Sequence, residues 1–259
     1  MNKLVFAIIV LGIWNPILSC QSKIEANLSY YLAEDNLKND NYKKEVDSLF
    51  TIYLSNSSCF SCTQYNNILL YYSNYRNNDS AKADMIKTKL IYNKCFKYNS
   101  FNTDICLSKF ELYFYRVISN LIYLDQEVRK NPDLVSVANI CDNYIILPKL
   151  VEIIKLLCES DSLNLGFYSN FNSELTALFL HHVNEIKDNS ILELVYCLYD
   201  KNILQPLDLA TIVDRNKLSL TGKTYYGVFL GKAETFNNID FQFINGNRRK
   251  VGLPDFYYK

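Results

Sequence analysis

The sequence predicts a mostly α-helical protein that carries a small β-hairpin or sheet near its C-terminus. The chain of 259 residues has only seven glycines and five prolines, a composition that disfavours turn-rich β structure. Apolar residues recur at spacings of three and four through most of the chain, which is typical of amphipathic helices. Near residue 218 the apolar spacing changes to two, and five of the seven glycines follow residue 220, so strands are expected there.

The composition and charge of the chain indicate a packed globular protein. Hydrophobic residues make up 49% and charged residues 21% of the sequence, so disorder is not expected. The 27 Lys and Arg residues balance the 27 Asp and Glu residues. Because phosphate binding requires an excess of basic residues on one face, nucleic acid is not predicted as a partner.

Residues 1–19 have the pattern of a secretory signal peptide. Lys3 precedes an apolar run from Leu4 to Trp14, which Asn15-Pro16 ends. A helix needs about 20 apolar residues to span a bilayer, and this run is much shorter. An uncleaved signal anchor remains the alternative.

The following four residues, Ile17-Leu18-Ser19-Cys20, resemble the lipobox of bacterial lipoproteins. The resemblance implies that Cys20 is acylated and becomes the mature N-terminus, so the membrane is a partner through the lipid anchor. Gln21 stands where an acidic residue would favour retention in the inner membrane, as in lipoproteins sorted to the outer membrane. The sequence therefore predicts a lipid-anchored protein of the bacterial cell envelope.

The cysteines other than Cys20 predict neither a redox centre nor a zinc site. Seven remain, and an odd number cannot all pair. Cys59-Phe60-Ser61-Cys62 has the spacing of a redox motif, but no βαβ pattern surrounds it. Cys95 and Cys106 are poorly spaced as a second pair of zinc ligands, and two histidines are too few for a His-rich site. No metal and no cofactor are predicted.

Residues 20–103 are predicted to form helical hairpins. Helical periodicity covers about 43–54, 57–75 and 80–98, and the breaks between these segments are rich in Asn. Short helices of similar length in series suggest that the hairpins stack.

Residues 104–259 are predicted to form a mainly helical domain that begins with a long amphipathic helix. Asp104 is the expected N-cap and Asn131-Pro132 the expected stop. Asp125 and Arg129 lie four residues apart in the order that favours a helix ion pair, which we interpret as solvated or structural. The apolar stripe consists of Leu107, Phe110, Phe114, Val117, Leu121, Leu124 and Val128.

A second helix is predicted over about 173–187, and the two histidines of the chain lie on it. His182 occupies a position in the apolar stripe, so it is expected to point inward. His181 lies about 100° round the helix, on the wetter side. A buried histidine needs a hydrogen-bond partner, and His182 is either a satisfied core residue or a proton carrier in a cleft.

The remaining pattern predicts two more helices and then strands. A capping box at Ser190–Glu193 and the pair Gln205-Pro206 each begin a helix. Thr221-Gly222-Lys223 separates two segments of period two, as in a β-hairpin, and residues 240–244 before Asn245-Gly246 are a candidate third strand.

About the last 140 residues resemble a bacterial family designated domain of unknown function 6624. The family has no established reaction, and the resemblance depends on the order and spacing of short motifs. These motifs are Asp125-Gln126-x-x-Arg129, His182, Leu209-Ala210-x-Ile212-x-Asp214-Arg215, Gly222, Tyr226-Gly227 and Arg248-x-x-Val251-Gly252-Leu253.

The polar residues of these motifs form a candidate site. His182 is the candidate base, Asp214 the residue that orients it, and Arg215 or Arg248 the cation that holds an anion, with Tyr226 beside them. The alternative is structural: Asp214 and Arg248 form an ion pair that ties the hairpin to the helices.

Two classes of function are compatible with the sequence. The first is a membrane-anchored module that binds a protein or a small molecule, as the helical hairpins and the 21 tyrosines suggest. The second is a hydrolase-like enzyme that uses His182 and Asp214 as catalytic residues. No known nucleophile motif, zinc-protease motif or P-loop is present, so the binding module is preferred.

Overall fold

The computed structural model describes residues 22–38, 43–56, 60–74, 79–95, 107–130, 134–160, 165–182, 190–229 and 239–256. These residues are mostly helical, as the sequence predicts. The predicted signal peptide, Cys20 and Asp104 lie outside the described residues.

The chain divides into two compact units, one comprising residues 1–60 and 239–259 and the other residues 61–238. This division differs from the predicted boundary at residue 104. Hydrogen bonds between distant segments explain the difference: Cys62 N donates to Ser169 Oγ, and Asn170 Nδ2 donates to Lys94 O. Such long-range contacts leave no periodicity in the sequence.

The first unit contains helix α1 (residues 22–38), helix α2 (Lys43–Ser55) and helix α12 (Phe241–Lys250). Its core is aromatic, with the rings of Tyr30, Phe50 and Tyr53 in contact and buried. Gly252 follows α12 at φ +77°, and a Cβ there would lie 2.7 Å from Ile24 O. Glycine is therefore required where this turn approaches α1.

The second unit begins with an antiparallel pair, α3 (Cys62–Asn74) and α4 (Ser80–Tyr92). The helices predicted over 57–75 and 80–98 are present, but α3 begins only at Cys62 and α4 ends at Tyr92. Asp79 caps α4 by accepting a hydrogen bond from Lys82 N. A disulfide bond joins Cys62 to Cys95. Cys62 is thus paired outside its C-x-x-C motif.

The long predicted helix is α5 (Lys109–Lys130). Ser108 caps it, since Glu111 N donates to Ser108 Oγ while Ser108 N donates to Glu111 Oε2. Of the predicted stripe, Phe114, Leu121 and Val128 are buried. The other buried residues are Glu111, Ile118 and Asp125, whereas the predicted Leu107, Phe110, Val117 and Leu124 are half-buried. The predicted ion pair between Asp125 and Arg129 is present, but its carboxylate is buried rather than solvated.

A π-helical segment interrupts the next helical stretch. Helix α6 (Val135–Cys141) leads into the π segment (Asp142–Ile146) and then into α7 (Leu147–Glu159). The wider turn ends at Leu147, whose N–H donates to Asp142 O. The next residue, Pro148, has no N–H to continue the normal ladder, and the π turn precedes it directly. One result of this geometry is that Asp142 is buried.

The rest of the second unit packs around α5 and α7. It consists of the short α8 (Leu165–Tyr168), a 3-10 turn (Ser169–Phe171), α9 (Asn172–His182), α10 (Ser190–Asp200) and α11 (Pro206–Thr221). Helix α9 contacts both α5 and α11, and α10 contacts α7 and α11. A disulfide bond between Cys158 and Cys197 links α7 to α10.

The predicted β-hairpin is not confirmed, and no strand occurs among the residues for which the structure is described. Residues 218–220 continue α11, because its buried side chains keep a helical spacing through Asn216. Gly222 has φ +69° and ends this helix as its C-cap instead of forming a hairpin turn. The candidate third strand is also wrong: Asp240 caps α12, which includes Asn245-Gly246.

Candidate functional site

Five polar side chains meet where α5, the π segment and α9 pack together. We call this group the histidine–aspartate cluster; it consists of Asp125, Arg129, Asp142, His181 and His182. Helix α5 supplies Asp125 and Arg129, and the π segment supplies Asp142. The C-terminal end of α9 supplies the two histidines.

Asp125 lies at the centre of the cluster. Its side chain has no exposed surface, and its Oδ1 accepts a hydrogen bond from Arg129 Nε at 2.8 Å. Its Oδ2 lies 2.9 Å from His181 Nδ1. A buried carboxylate is stabilised only when such charged and hydrogen-bonded partners replace water.

Asp142 is the second buried carboxylate. Arg129 Nη2 donates to its Oδ2 at 3.0 Å, so one guanidinium bridges both aspartates. Burial by itself would lower the pKa of Arg129, but the hydrogen bond and charge of Asp125, and the charge of Asp142, raise it. Two carboxylates and one guanidinium leave the cluster with one unbalanced negative charge when both imidazoles are neutral.

His182 points inward, as predicted, and its side chain is fully buried. Its Nε2 lies 3.7 Å from Asp125 Oδ1, and its Nδ1 lies 3.8 Å from Asp142 Oδ2. Both distances exceed hydrogen-bond length, and neither ring nitrogen has a partner among the described residues. The expectation of a satisfied core histidine is therefore not met. Burial lowers the pKa of His182, although the negative charges of Asp142 and Asp125 act to raise it.

His181 lies on the wetter side of α9, as predicted, with 34% of its side chain exposed. Its Nδ1 contacts both oxygens of Asp125, at 3.0 and 2.9 Å. A buried carboxylate that holds one ring nitrogen fixes the orientation of the imidazole. With Arg129, which is also 34% exposed, His181 connects the buried aspartates to the surface.

Asp214 lies on α11, and the loop that follows the helix surrounds its carboxylate. Tyr225 N and Tyr226 N donate to Oδ1, while Thr224 Oγ1 and Val228 N donate to Oδ2. The carboxylate is fully buried. Asp214 therefore holds the loop over residues 224–228, and the acids next to His182 are Asp125 and Asp142.

The other predicted site residues have separate surroundings. Arg215 is half-buried on α11. Tyr226 is buried, its hydroxyl lies 3.4 Å from that of Tyr196, and burial raises its pKa. Arg248 belongs to the first unit, where its Nε donates to Pro254 O at 2.6 Å.

Asp142 and the role of His181 were not predicted from the sequence. Asp142 and Asn143 are the two strongly polar residues in the stretch from Ile140 to Ile146, and Pro148 follows it. That pattern is the available sequence signal for Asp142, since an acid in a mainly apolar segment shortly before a helix-distorting proline is unusual. His181 gave no signal beyond its place next to His182.

No family model, curated protein or solved structure matches the chain. Among the described helices, none combines the length and apolar character that crossing a bilayer requires.

Proposed function

We propose that the protein is a lipid-anchored binding protein of the bacterial cell envelope, whose ligand binds at the histidine–aspartate cluster. The observation that carries the binding role is His182, a fully buried imidazole without a hydrogen-bond partner among the described residues. Buried polar groups in native proteins nearly always have partners. A buried imidazole between two carboxylates is thus best explained as part of a ligand-binding site.

The cysteines support export from the cytoplasm. Two disulfide bonds, Cys62–Cys95 and Cys158–Cys197, fit an oxidising compartment. The remaining support for the proposal comes from the sequence: the lipobox-like residues before Cys20, the residue type of Gln21, and the resemblance of about the last 140 residues to domain of unknown function family 6624.

A hydrolase-like enzyme remains the second candidate. This alternative uses His182 and Asp214 as catalytic residues, with Arg215, Tyr226 or Arg248 holding the substrate. The contact between His181 Nδ1 and Asp125 favours a modified form, in which the half-exposed His181 is the base and Asp125 orients it. Binding is preferred because no Ser, Thr or Cys is recorded in hydrogen-bond contact with His181 in the described part of the chain.

The anchor is tested by Cys20→Ala. Multiple acyl chains give in effect permanent anchoring, and the variant cannot be acylated at this position. We expect wild-type protein in the membrane fraction and the variant in the soluble envelope fraction or in the medium. Cys141→Ala, which removes a buried free cysteine, is the control and should fractionate like wild type. Unchanged fractionation of the Cys20 variant would show that the lipoprotein proposal is wrong.

The binding role is tested by native mass spectrometry of the full-length protein, extracted in detergent from its own membranes. We expect the wild-type mass to exceed the mass of the lipidated polypeptide by that of a bound ligand. In His181→Ala its occupancy should fall by about 10-fold or more, because Asp125 loses the side chain that orients it.

Ser173→Ala is the matched control for this experiment, because Ser173 is exposed at the opposite end of α9. It should retain the bound species at the wild-type level. A wild-type mass without any bound species, or equal occupancy in His181→Ala, would contradict the binding role.

A further inference from the structure

We propose that Asp125, Asp142 and His182 bind one divalent transition-metal ion, with Zn²⁺ as the preferred ion. The inference rests on the proposed function, since the ion is the ligand of the histidine–aspartate cluster. One ligand atom from each of the three residues can be chosen so that all lie within 4.8 Å of one another, and all three residues are buried.

The distances around His182 distinguish a metal site from a hydrogen-bonded imidazolium. Hydrogen bonds from an imidazolium to carboxylates would be about 2.7 to 3.2 Å long. The observed separations are 3.7 Å to Asp125 and 3.8 Å to Asp142. Two atoms that share a zinc ion, each about 2.1 Å from it, lie roughly 3.2 to 4.2 Å apart. The two separations belong to different nitrogens, Nε2 toward Asp125 and Nδ1 toward Asp142, and one imidazole binds an ion through a single nitrogen. One of them therefore suits two ligand atoms of a common ion, and a set of three ligand atoms, one from each residue, lies within 4.8 Å.

The charge of the cluster favours a cation as the ligand. Asp125 and Asp142 together carry two negative charges, and Arg129 neutralises one of them. An anion would meet two buried carboxylates without a sufficient positive counterpart. A divalent cation instead gives one of the orphaned ring nitrogens a partner and changes the formal charge of the cluster from one negative to one positive charge.

The surrounding residues supply the hydrogen bonds that metal ligands usually have. Arg129 donates to one oxygen of each aspartate, and His181 contacts Asp125 from the exposed side. Such partners orient ligating carboxylates in known sites. Arg129 leaves lone pairs on the carboxylates available for an ion, because each ionised carboxylate accepts about four interactions.

The types of ligand indicate which ion is preferred. One imidazole with two carboxylates suits zinc and other late transition metals, whereas Mg²⁺ and Ca²⁺ prefer sites made only of oxygen. Adjacent histidines cannot bind one ion together, but this restriction concerns His181 with His182. It does not apply to one histidine with two aspartates from other segments.

The experiment uses the full-length protein in detergent, stripped with a chelator and then titrated with Zn²⁺ and, separately, with Mg²⁺. We expect about one zinc ion per chain by calorimetry and elemental analysis, and much weaker binding of Mg²⁺. Asp142→Asn should bind zinc at least about 100-fold more weakly, since removing even an outer-shell partner costs 10- to 100-fold. Asp84→Asn, at an exposed position on α4, removes the same charge and should bind like wild type.

X-ray absorption spectroscopy of zinc-loaded wild-type protein keeps the proposal testable if Asp142→Asn does not fold. We expect one imidazole and oxygen ligands, without sulfur. Sulfur in the coordination shell, no stoichiometric zinc binding, or unchanged affinity in a folded Asp142→Asn variant would overturn the metal site. If native mass spectrometry detects an organic ligand while zinc does not bind, only the metal inference fails. If neither is detected, the binding role fails as well.

Discussion

Asp214→Ala is expected to lower the free energy of unfolding by about 4 kcal/mol or more, enough to bring a typical domain close to unfolding. The variant leaves three backbone N–H groups and the Thr224 hydroxyl without their acceptor. Each buried donor that loses its acceptor costs about 1 to 3 kcal/mol. The hydrogen bond from Gly227 N to Thr224 Oγ1 also belongs to this loop, but it does not replace the Asp214 carboxylate as the acceptor for these four donors.

Urea denaturation of the variant and the wild type measures this effect, with Asp240→Ala as the control. Asp240 is an exposed helix cap that accepts one recorded hydrogen bond, from Phe243 N, so its removal should cost only about 1 kcal/mol. Equal losses for the two variants would mean that the loop does not depend on the Asp214 carboxylate.

Asp125→Ala is expected to destabilise the protein by about 3 to 5 kcal/mol, because it leaves Arg129 and His181 without their shared acceptor. Arg129 keeps its contact with Asp142, so the expected loss comes from the two interactions that Asp125 accepts, each worth about 1.5 to 3 kcal/mol because the carboxylate is charged. The effect should be present in chelator, where bound metal cannot contribute to stability.

The control for Asp125→Ala is Glu127→Ala. Glu127 carries the same charge on the same helix but is exposed, so its removal should change the free energy of unfolding by no more than about 0.5 kcal/mol. A loss below 1 kcal/mol for Asp125→Ala would show that Asp125 is not the electrostatic centre of the cluster, which would also weaken the proposed metal site.

The C-terminal region shows where sequence periodicity was ambiguous. Alternate apolar residues around Leu218 and Leu220 suggested a strand, but α11 continues through them because its buried face keeps a helical spacing through Asn216. Gly222 was correctly identified as the end of an element, although it caps a helix. A glycine marks positive φ in both kinds of turn, so it does not distinguish them.

The candidate site was predicted in part. The sequence placed His182 inward and His181 outward, and it paired Asp125 with Arg129. These three results depend only on the angle between residues on one helix. Whether Asp214 and Arg248 belong to the functional site with His182, as the resemblance implied, stays a prediction.

The sequence by itself determined the helical class, the C-terminal end of α5 and the side of α9 on which each histidine lies, because helix formation depends on spacing and on nearby caps. Tertiary structure decided the compact units, the pairing of Cys62 with Cys95, and the meeting of Asp142 with His182. Those contacts join residues tens of positions apart. Their geometry depends on how helices pack and on one π turn, and neither is encoded by periodicity within a single segment.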